Sequence, residues 1–350
     1  MVHWAGGRND VGDVTGRYPT LFHRAALSGG TVPRAATSSN TSTRNTRNTK
    51  QWSPNRSPKR SPKWSSALTG AALLATTLGA TVAPAQAAES AGSGKYVSLG
   101  DSYAAGAGIP ASSAGLCLRS DHNYGHLVAA ALASSSYVDT TCAGAKVGAL
   151  TTPQKDVGIV VNGPQLDAVT PDTSLITLTI GGDNLGTSDI GFGDLAVVCS
   201  ALSLTNPFGA PCRNHYGDTL SNRMDSATTE LSAALQKLHA KAPKARVLIL
   251  GYPSVLPEDP KKCFGKMPVT TGDLAFLHSV LGELNTKIAK TATAAGATYV
   301  DTLTPTKGHD SCSSDPWIEG LLPGSPTLPL HPNATGERVM SDAVLNALRH

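Results

Sequence analysis

The sequence is poor in charge and in aromatic rings: 15% of its 350 residues are Asp, Glu, Lys or Arg, and 5% are Phe, Trp or Tyr. Long apolar runs are also missing. The strongest, Ala67–Val82, covers 16 residues and is diluted by Gly and Thr, whereas a spanning helix needs roughly 20 predominantly apolar residues. No stable membrane anchor is therefore expected. There is no GxxxxGK[ST] phosphate loop and no dinucleotide fingerprint that opens a helix. Neither a Cys-x-x-Cys pair nor a closely spaced Cys/His quartet occurs, which removes the usual zinc frameworks. No metal and no organic cofactor are expected. No internal repeat is visible beyond residue 95.

What charge there is lies unevenly. Of 29 Lys and Arg, 11 fall within residues 1–87, with 2 of the 25 Asp and Glu, leaving 18 basic and 23 acidic residues, net −5, in the remainder. The net charge of +4 thus belongs to the leader, and a nucleic-acid partner for the folded part loses its electrostatic footing. Residues 1–66, rich in Arg, Ser, Thr, Asn and Pro, read as a disordered basic leader. Lys59, Arg60 and Lys63, then Ala67–Val82, then Ala85-Gln-Ala87 give the charged, apolar and small-residue regions of a secretory signal over 67–87. Processing after Ala87 leaves 88–350 as a single domain, secreted and expected to be monomeric. All six cysteines (Cys117, Cys142, Cys199, Cys212, Cys263 and Cys312) fall in it. An even number in an exported chain suggests three disulfides, and six cysteines allow 15 pairings.

Five short runs read as buried strands: Lys95–Leu99, Tyr137–Cys142, Leu175–Ile180, Arg246–Leu250 and Thr298–Asp301. Apolar residues at helical spacing, Met224, Ala227, Leu231, Leu235 and Leu238, then Leu274, Leu277, Leu281, Leu284 and Ile288, read as two surface helices between them. Strands alternating with helices predict an α/β fold with a mainly parallel sheet covered on both faces. Right-handed crossovers place the loops after the strands along one edge. Long Gly/Pro-rich loops at 103–120, 182–217, 251–271 and 302–333 are the expected substrate-contacting segments.

Four stretches along that edge carry candidate chemistry. Tyr96-Val-Ser-Leu-Gly-Asp-Ser102 ends a strand on a turn that presents a serine; the same turn could simply be one in which Asp101 or Ser102 caps the next helix. The others are Cys142-Ala-Gly144, Ile180-Gly-Gly-Asp-Asn184 and His331-Pro-Asn-Ala-Thr-Gly336. Asp101 and Asp183 read as loop-organising acceptors, and His122 and His126 as surface or packing residues.

In this order the four stretches resemble the blocks of the GDSL or SGNH hydrolases, above all the secreted actinomycete lipases and esterases, from about Lys95 to the C-terminus. The resemblance implies a three-layer α/β/α sandwich with a five-stranded, flavodoxin-like sheet. It implies Ser102 as nucleophile, His331 as base, and an oxyanion hole made by the Ser102 and Gly144 N–H groups and the Asn184 amide. It also implies the disulfides Cys117–Cys142, Cys199–Cys212 and Cys263–Cys312. Many relatives carry an aspartate three residues before the histidine. Here that residue is Leu328, so a Ser-His dyad is expected, with the Leu328 or Pro329 carbonyl orienting the imidazole. Asp310 and Asp315 are the alternatives. Trp317 could line the acyl pocket or anchor its loop.

The expected activity is hydrolysis of carboxylic esters or lipids through an acyl-enzyme. Phospholipase A or carbohydrate deacetylase activity at the same site is the alternative, followed by a non-catalytic lipid- or glycan-binding module.

Overall fold

Side chains alternate along each strand, and in the central strands both sets are buried, so the sheet must be covered on both faces. The computed structural model describes residues 94–111, 115–156, 158–187 and 192–350, all within the compact unit Ala80–His350. The leader expected over 1–66 and the signal segment expected over 67–87 lie outside the described residues.

In chain order the strands are β1 (Lys95–Gly100), β2 (Tyr137–Asp139), β3 (Gln154–Asp156), β4 (Ile159–Asn162), β5 (Thr173–Thr179), β6 (Arg246–Leu250) and β7 (Thr298–Val300). The helices are α1 (Ser102–Ala105), α2 (Tyr124–Ala131), α3 (Phe192–Ser203), α4 (Pro211–Tyr216), α5 (Thr219–Lys241), α6 (Thr271–Ala294) and α7 (Ala334–Leu348). Five strands form one parallel sheet in the order β2-β1-β5-β6-β7. Counted within the sheet alone this is 2-1-3-4-5, the flavodoxin-like order. Val97, Leu99, Ile176, Leu178, Val247 and Ile249 face one way and pack with the buried stripes of α5 and α6. Tyr96, Leu175, Leu248 and Leu250 face the other way, against α2 and α7. The result is three layers, with both expected apolar stripes buried on α5 and α6.

Three local expectations are revised. β2 stops at Asp139 rather than Cys142, because the Asp139 carboxylate accepts from the amide and hydroxyl of Thr141 at 2.9 and 2.6 Å and turns the chain out of the ladder. The segment 182–217, read as loop, contains α3 and α4. Residues 154–162, where no strand was expected, form the antiparallel hairpin β3–β4.

The sheet order decides where a site can form. The connection leaving β1 runs to β2 on one side, and that leaving β5 runs to β6 on the other, so a crevice opens beyond the carboxyl ends of β1 and β5. The six cysteines are joined as Cys117–Cys142, Cys199–Cys212 and Cys263–Cys312. Among the described residues, no helix is long and apolar enough to cross a membrane.

Candidate active site

The site is built from the end of β1 outward. Gly100 adopts φ +131°, and a Cβ there would lie 2.3 Å from the Thr179 carbonyl oxygen of β5, so only glycine lets the two strands end so close together. Buried Gln165 brackets the same residue, accepting from the Gly100 amide at 2.7 Å and donating to its carbonyl at 2.9 Å. The Asp101 carboxylate then caps α1 by accepting from the Tyr103 amide at 3.0 Å. Ser102 is the first residue of α1, 7% exposed, and its amide has no acceptor within that helix.

The Ser102 hydroxyl lies 2.7 Å from His331 Nε2, and His331 Nδ1 lies 2.8 Å from the Pro329 carbonyl. A carbonyl only accepts, so Nδ1 carries the proton and Nε2 is left as the acceptor facing the serine hydroxyl. Burial pushes the imidazole pKa down from 6.5 to about 4, against the opposing pull of the Pro329 carbonyl. The imidazole is therefore neutral over the physiological range. Its ring packs against that of Tyr103, centroids 4.6 Å apart. The Tyr103 hydroxyl donates to the Leu330 carbonyl at 2.6 Å, fixing the backbone next to His331.

Of the two expected carbonyls, Pro329 orients the ring. The Leu328 carbonyl instead accepts from the His331 amide at 3.2 Å, within its own turn. Asp310 accepts from the amide of Cys312 at 2.9 Å, and the Asp315 carbonyl partners His309 Nδ1 at 2.8 Å; neither residue reaches His331. Trp317 stacks on His309, centroids 3.4 Å apart, and anchors its loop rather than lining the cavity. His122 pairs with Asp121, and His126 lies beside Asp139 and Tyr137, away from the site.

Gly144 sits in a turn closed by the Ala145 amide on the Cys142 carbonyl at 3.1 Å. Its φ of +75° suits glycine, and the Cys117–Cys142 disulfide ties the turn down. Ser102, Gly144 and His331 line one cavity of about 750 Å³, whose apolar walls include Leu116, Val161, Val197, Leu281, Leu321 and Leu328.

Asn184 does not join them. The turn Gly182–Leu185 is a 3₁₀ helix, in which successive side chains point about 120° apart. Asp183 is among the residues lining that cavity, whereas Asn184 lines a separate depression with Thr219, Asn222, Arg223 and Ser226. There its Oδ1 accepts from the Val147 amide at 2.9 Å.

Tyr252, which sequence reasoning passed over, connects these parts. Its hydroxyl accepts from the Gly182 amide at 2.6 Å and donates to the Asp101 carboxylate. Burial, and after it the nearby Asp183, hold the Asp101 carboxyl well above the usual carboxylate range. The usable signal was position: Tyr252 follows the carboxyl end of β6 by two residues, where site residues of parallel sheets collect. Among the described residues, no group of three or more His, Cys, Asp and Glu could hold a metal ion.

The profile of the GDSL-like Lipase/Acylhydrolase family matches residues 98–339. The chain is 39% identical over 277 residues to Lipase 2 of Streptomyces coelicolor, covering 77% of this chain and 90% of that protein. Among solved structures it resembles phospholipase A1 from Streptomyces albidoflavus, with a TM-score of 0.61 and 29% identity over 73% of this chain and 99% of the other. It also resembles the extracellular lipase of Streptomyces rimosus, with a TM-score of 0.59 and 26% identity over 73% of this chain and all of the other.

Proposed function

The chain belongs to the GDSL-like lipase/acylhydrolase family of ester hydrolases, and on that premise we propose that it is an exported enzyme that cleaves carboxylic esters of apolar acyl chains through a Ser102–His331 dyad. One observation carries the reading: the 2.7 Å approach of the Ser102 hydroxyl to His331 Nε2, with Nδ1 held on the Pro329 carbonyl. A serine hydroxyl is a weak nucleophile until a neighbouring base takes its proton. Here Nε2 takes it as Oγ attacks the ester carbonyl, and the new C–O bond gives a tetrahedral oxyanion. The Ser102 and Gly144 N–H groups are the backbone donors assigned to that oxygen. Collapse breaks the bond to the alkoxy group, which leaves with the proton from Nε2. Water, deprotonated by the same nitrogen, then releases the acid and restores the serine.

The apolar wall favours aliphatic acyl groups, each buried methylene contributing about 0.8 kcal/mol. Export is supported by the signal-like segment, by six cysteines all paired in disulfides, and by likeness to a lipase described as extracellular. A phospholipid is the second substrate to assay, because one structural neighbour is a phospholipase A1 and Lys146 and Lys155 border the same cavity.

The test is a p-nitrophenyl ester series of increasing chain length, run beside a phospholipid and sugar acetates. The reading predicts that kcat/KM climbs with chain length and that Ser102→Ala and His331→Ala each lose at least about 10³-fold in kcat. Full activity in Ser102→Ala, or turnover of sugar acetates alone, would overturn it.

A further inference from the structure

Resting on that reading, we propose that Glu319 is the positioning residue of the base: its carboxylate clamps the neck of the loop that carries the Pro329 carbonyl and His331, and so holds the imidazole on Ser102. The reaction steps above make no use of this side chain. It is nonetheless only 4% exposed, and an acid is seldom buried so deeply without groups to pair with.

Two segments run side by side at the neck. Ile318 and Pro332 form an antiparallel bridge. The Glu319 amide donates to the His331 carbonyl at 2.9 Å, the Asn333 amide to the Trp317 carbonyl at 2.9 Å, and the Leu330 amide to the Gly320 carbonyl at 3.3 Å. Residues 321–329 leave this ladder and return to it with the Pro329 carbonyl in place. The Glu319 side chain joins both halves. Its Oε2 accepts from the Gly324 amide at 2.8 Å, and its Oε1 accepts from the Ser325 hydroxyl at 2.6 Å and from Asn333 Nδ2 at 2.9 Å. One carboxylate therefore ties the outgoing half of the loop to the residue that caps α7. Burial disfavours its charge, but the hydrogen bonds from Asn333, Ser325 and Gly324 outweigh burial and hold the carboxyl below its usual range. The ionised form has the lone pairs that three donors require.

Leu330 explains why the loop needs a clamp. It stands between the orienting carbonyl and the base, and it adopts φ +63°, a left-handed conformation that a bulky side chain rarely takes. Such a backbone persists where surrounding contacts over-determine it. On one side the Ala107 carbonyl accepts from the Leu328 amide at 3.1 Å and from the Thr327 hydroxyl at 3.2 Å. The Tyr103 hydroxyl holds the Leu330 carbonyl. Glu319 supplies the ties at the neck. Without them Leu330 relaxes, and the Pro329 carbonyl and the ring it orients drift from the 2.7 Å approach to Ser102. Misplacing a catalytic group by about 1 Å costs about 10²-fold in rate. Leu116, Val161, Val197 and Leu281 of the apolar wall belong to other segments, so the loss falls on kcat and little on KM.

The experiment measures kcat and KM on one soluble p-nitrophenyl ester for the full chain and for Glu319→Ala, Glu319→Gln and Ser325→Ala. Thermal melts establish folding, and the rate at which an alkyl phosphonate ester labels Ser102 gives a second readout. We expect Glu319→Ala to lose about 10²-fold in kcat with KM within about twofold of wild type. Glu319→Gln, which keeps one acceptor oxygen, should regain about tenfold of that loss, and Ser325→Ala, which removes one donor, should lose about threefold in kcat. Labelling of Ser102 should slow in step with kcat, because the phosphonate meets the same nucleophile and base. A residue that only stabilised the fold would lower the melting temperature and leave kcat per folded molecule unchanged. That result in Glu319→Ala, or a loss confined to KM, overturns the proposal. If Glu319→Ala unfolds, Glu319→Gln and Ser325→Ala decide by the same criterion: kcat lowered at constant KM supports the clamp, and kcat unchanged in both overturns it. If Ser102→Ala is inactive while the Glu319 variants keep wild-type kcat, this inference alone fails; if Ser102→Ala is fully active, the dyad reading fails first.

Discussion

At the residue scale the chemistry turns on protonation. His331 is depressed to about 4 by burial, so a base that must be neutral is ready at every pH above that value. The acid limb of kcat/KM is expected near pH 4 rather than near 6.5, as read from a pH–rate profile of the free enzyme; a limb at 6.5 would contradict the environment described. The same depression affects stability. A histidine that resists protonation when folded leaves stability intact above pH 6.5 and reduces it as pH falls from there towards 4. The dyad also predicts that Asp310→Asn and Asp315→Asn, measured separately, leave kcat close to wild type, because their hydrogen bonds belong to their own loop. A large loss from either would restore a carboxylate partner for the imidazole. Residue type alone points to Asn184. A neutral amide is the natural oxyanion donor, but residue type does not say which of two adjacent side chains a 3₁₀ turn aims inward. The orienting carbonyl was ambiguous for a similar reason: Leu328 and Pro329 differ by one residue, and the turn closed by the His331 amide consumes the first.

At the element scale, legibility followed burial. β1, β5 and β6 were readable because short runs rich in apolar and β-branched residues, each ending at Gly, suit a buried parallel strand. The hairpin β3–β4 was not: Gln154-Lys155-Asp156 offers no apolar alternation, and its strand state comes from pairing with 159–162. α5 and α6 were legible through their stripes, and Leu231, 1% exposed in the α5 stripe, tests that reading. Leu231→Ala should lower unfolding free energy by about 2–5 kcal/mol, measured by denaturant titration, with kcat per folded molecule preserved; a change under half a kcal/mol would deny α5 its place against the sheet. α7 is started by Asn333, whose Oδ1 accepts from the Thr335 and Gly336 amides and whose Nδ2 donates to the Pro316 carbonyl and to buried Glu319. Asn333→Ala removes a cap worth about 0.5–2 kcal/mol and strips Glu319 of one donor. A lower melting temperature and a lower kcat together are expected, since the cap stands two residues from His331.

At the scale of the whole molecule, a flavodoxin-like strand order gathers residues 102, 144, 183 and 331 at one rim, and disulfides pin the loops that carry them. Cys263–Cys312, spanning 49 residues, fastens the loop before α6 to the segment leading to His331. In the chain-entropy account a closure of that length contributes about 4 kcal/mol. Cys263→Ser with Cys312→Ser should therefore lower the melting temperature measurably, and an unchanged melt would remove the disulfide from the account. The central claim, however, is that Ser102 is the nucleophile. It is tested most directly by treating the wild-type enzyme with an alkyl phosphonate ester and mapping the adduct by mass spectrometry. The account predicts one phosphonyl group, on Ser102, with activity lost in step; an adduct on any other residue, or full labelling with activity intact, would contradict it.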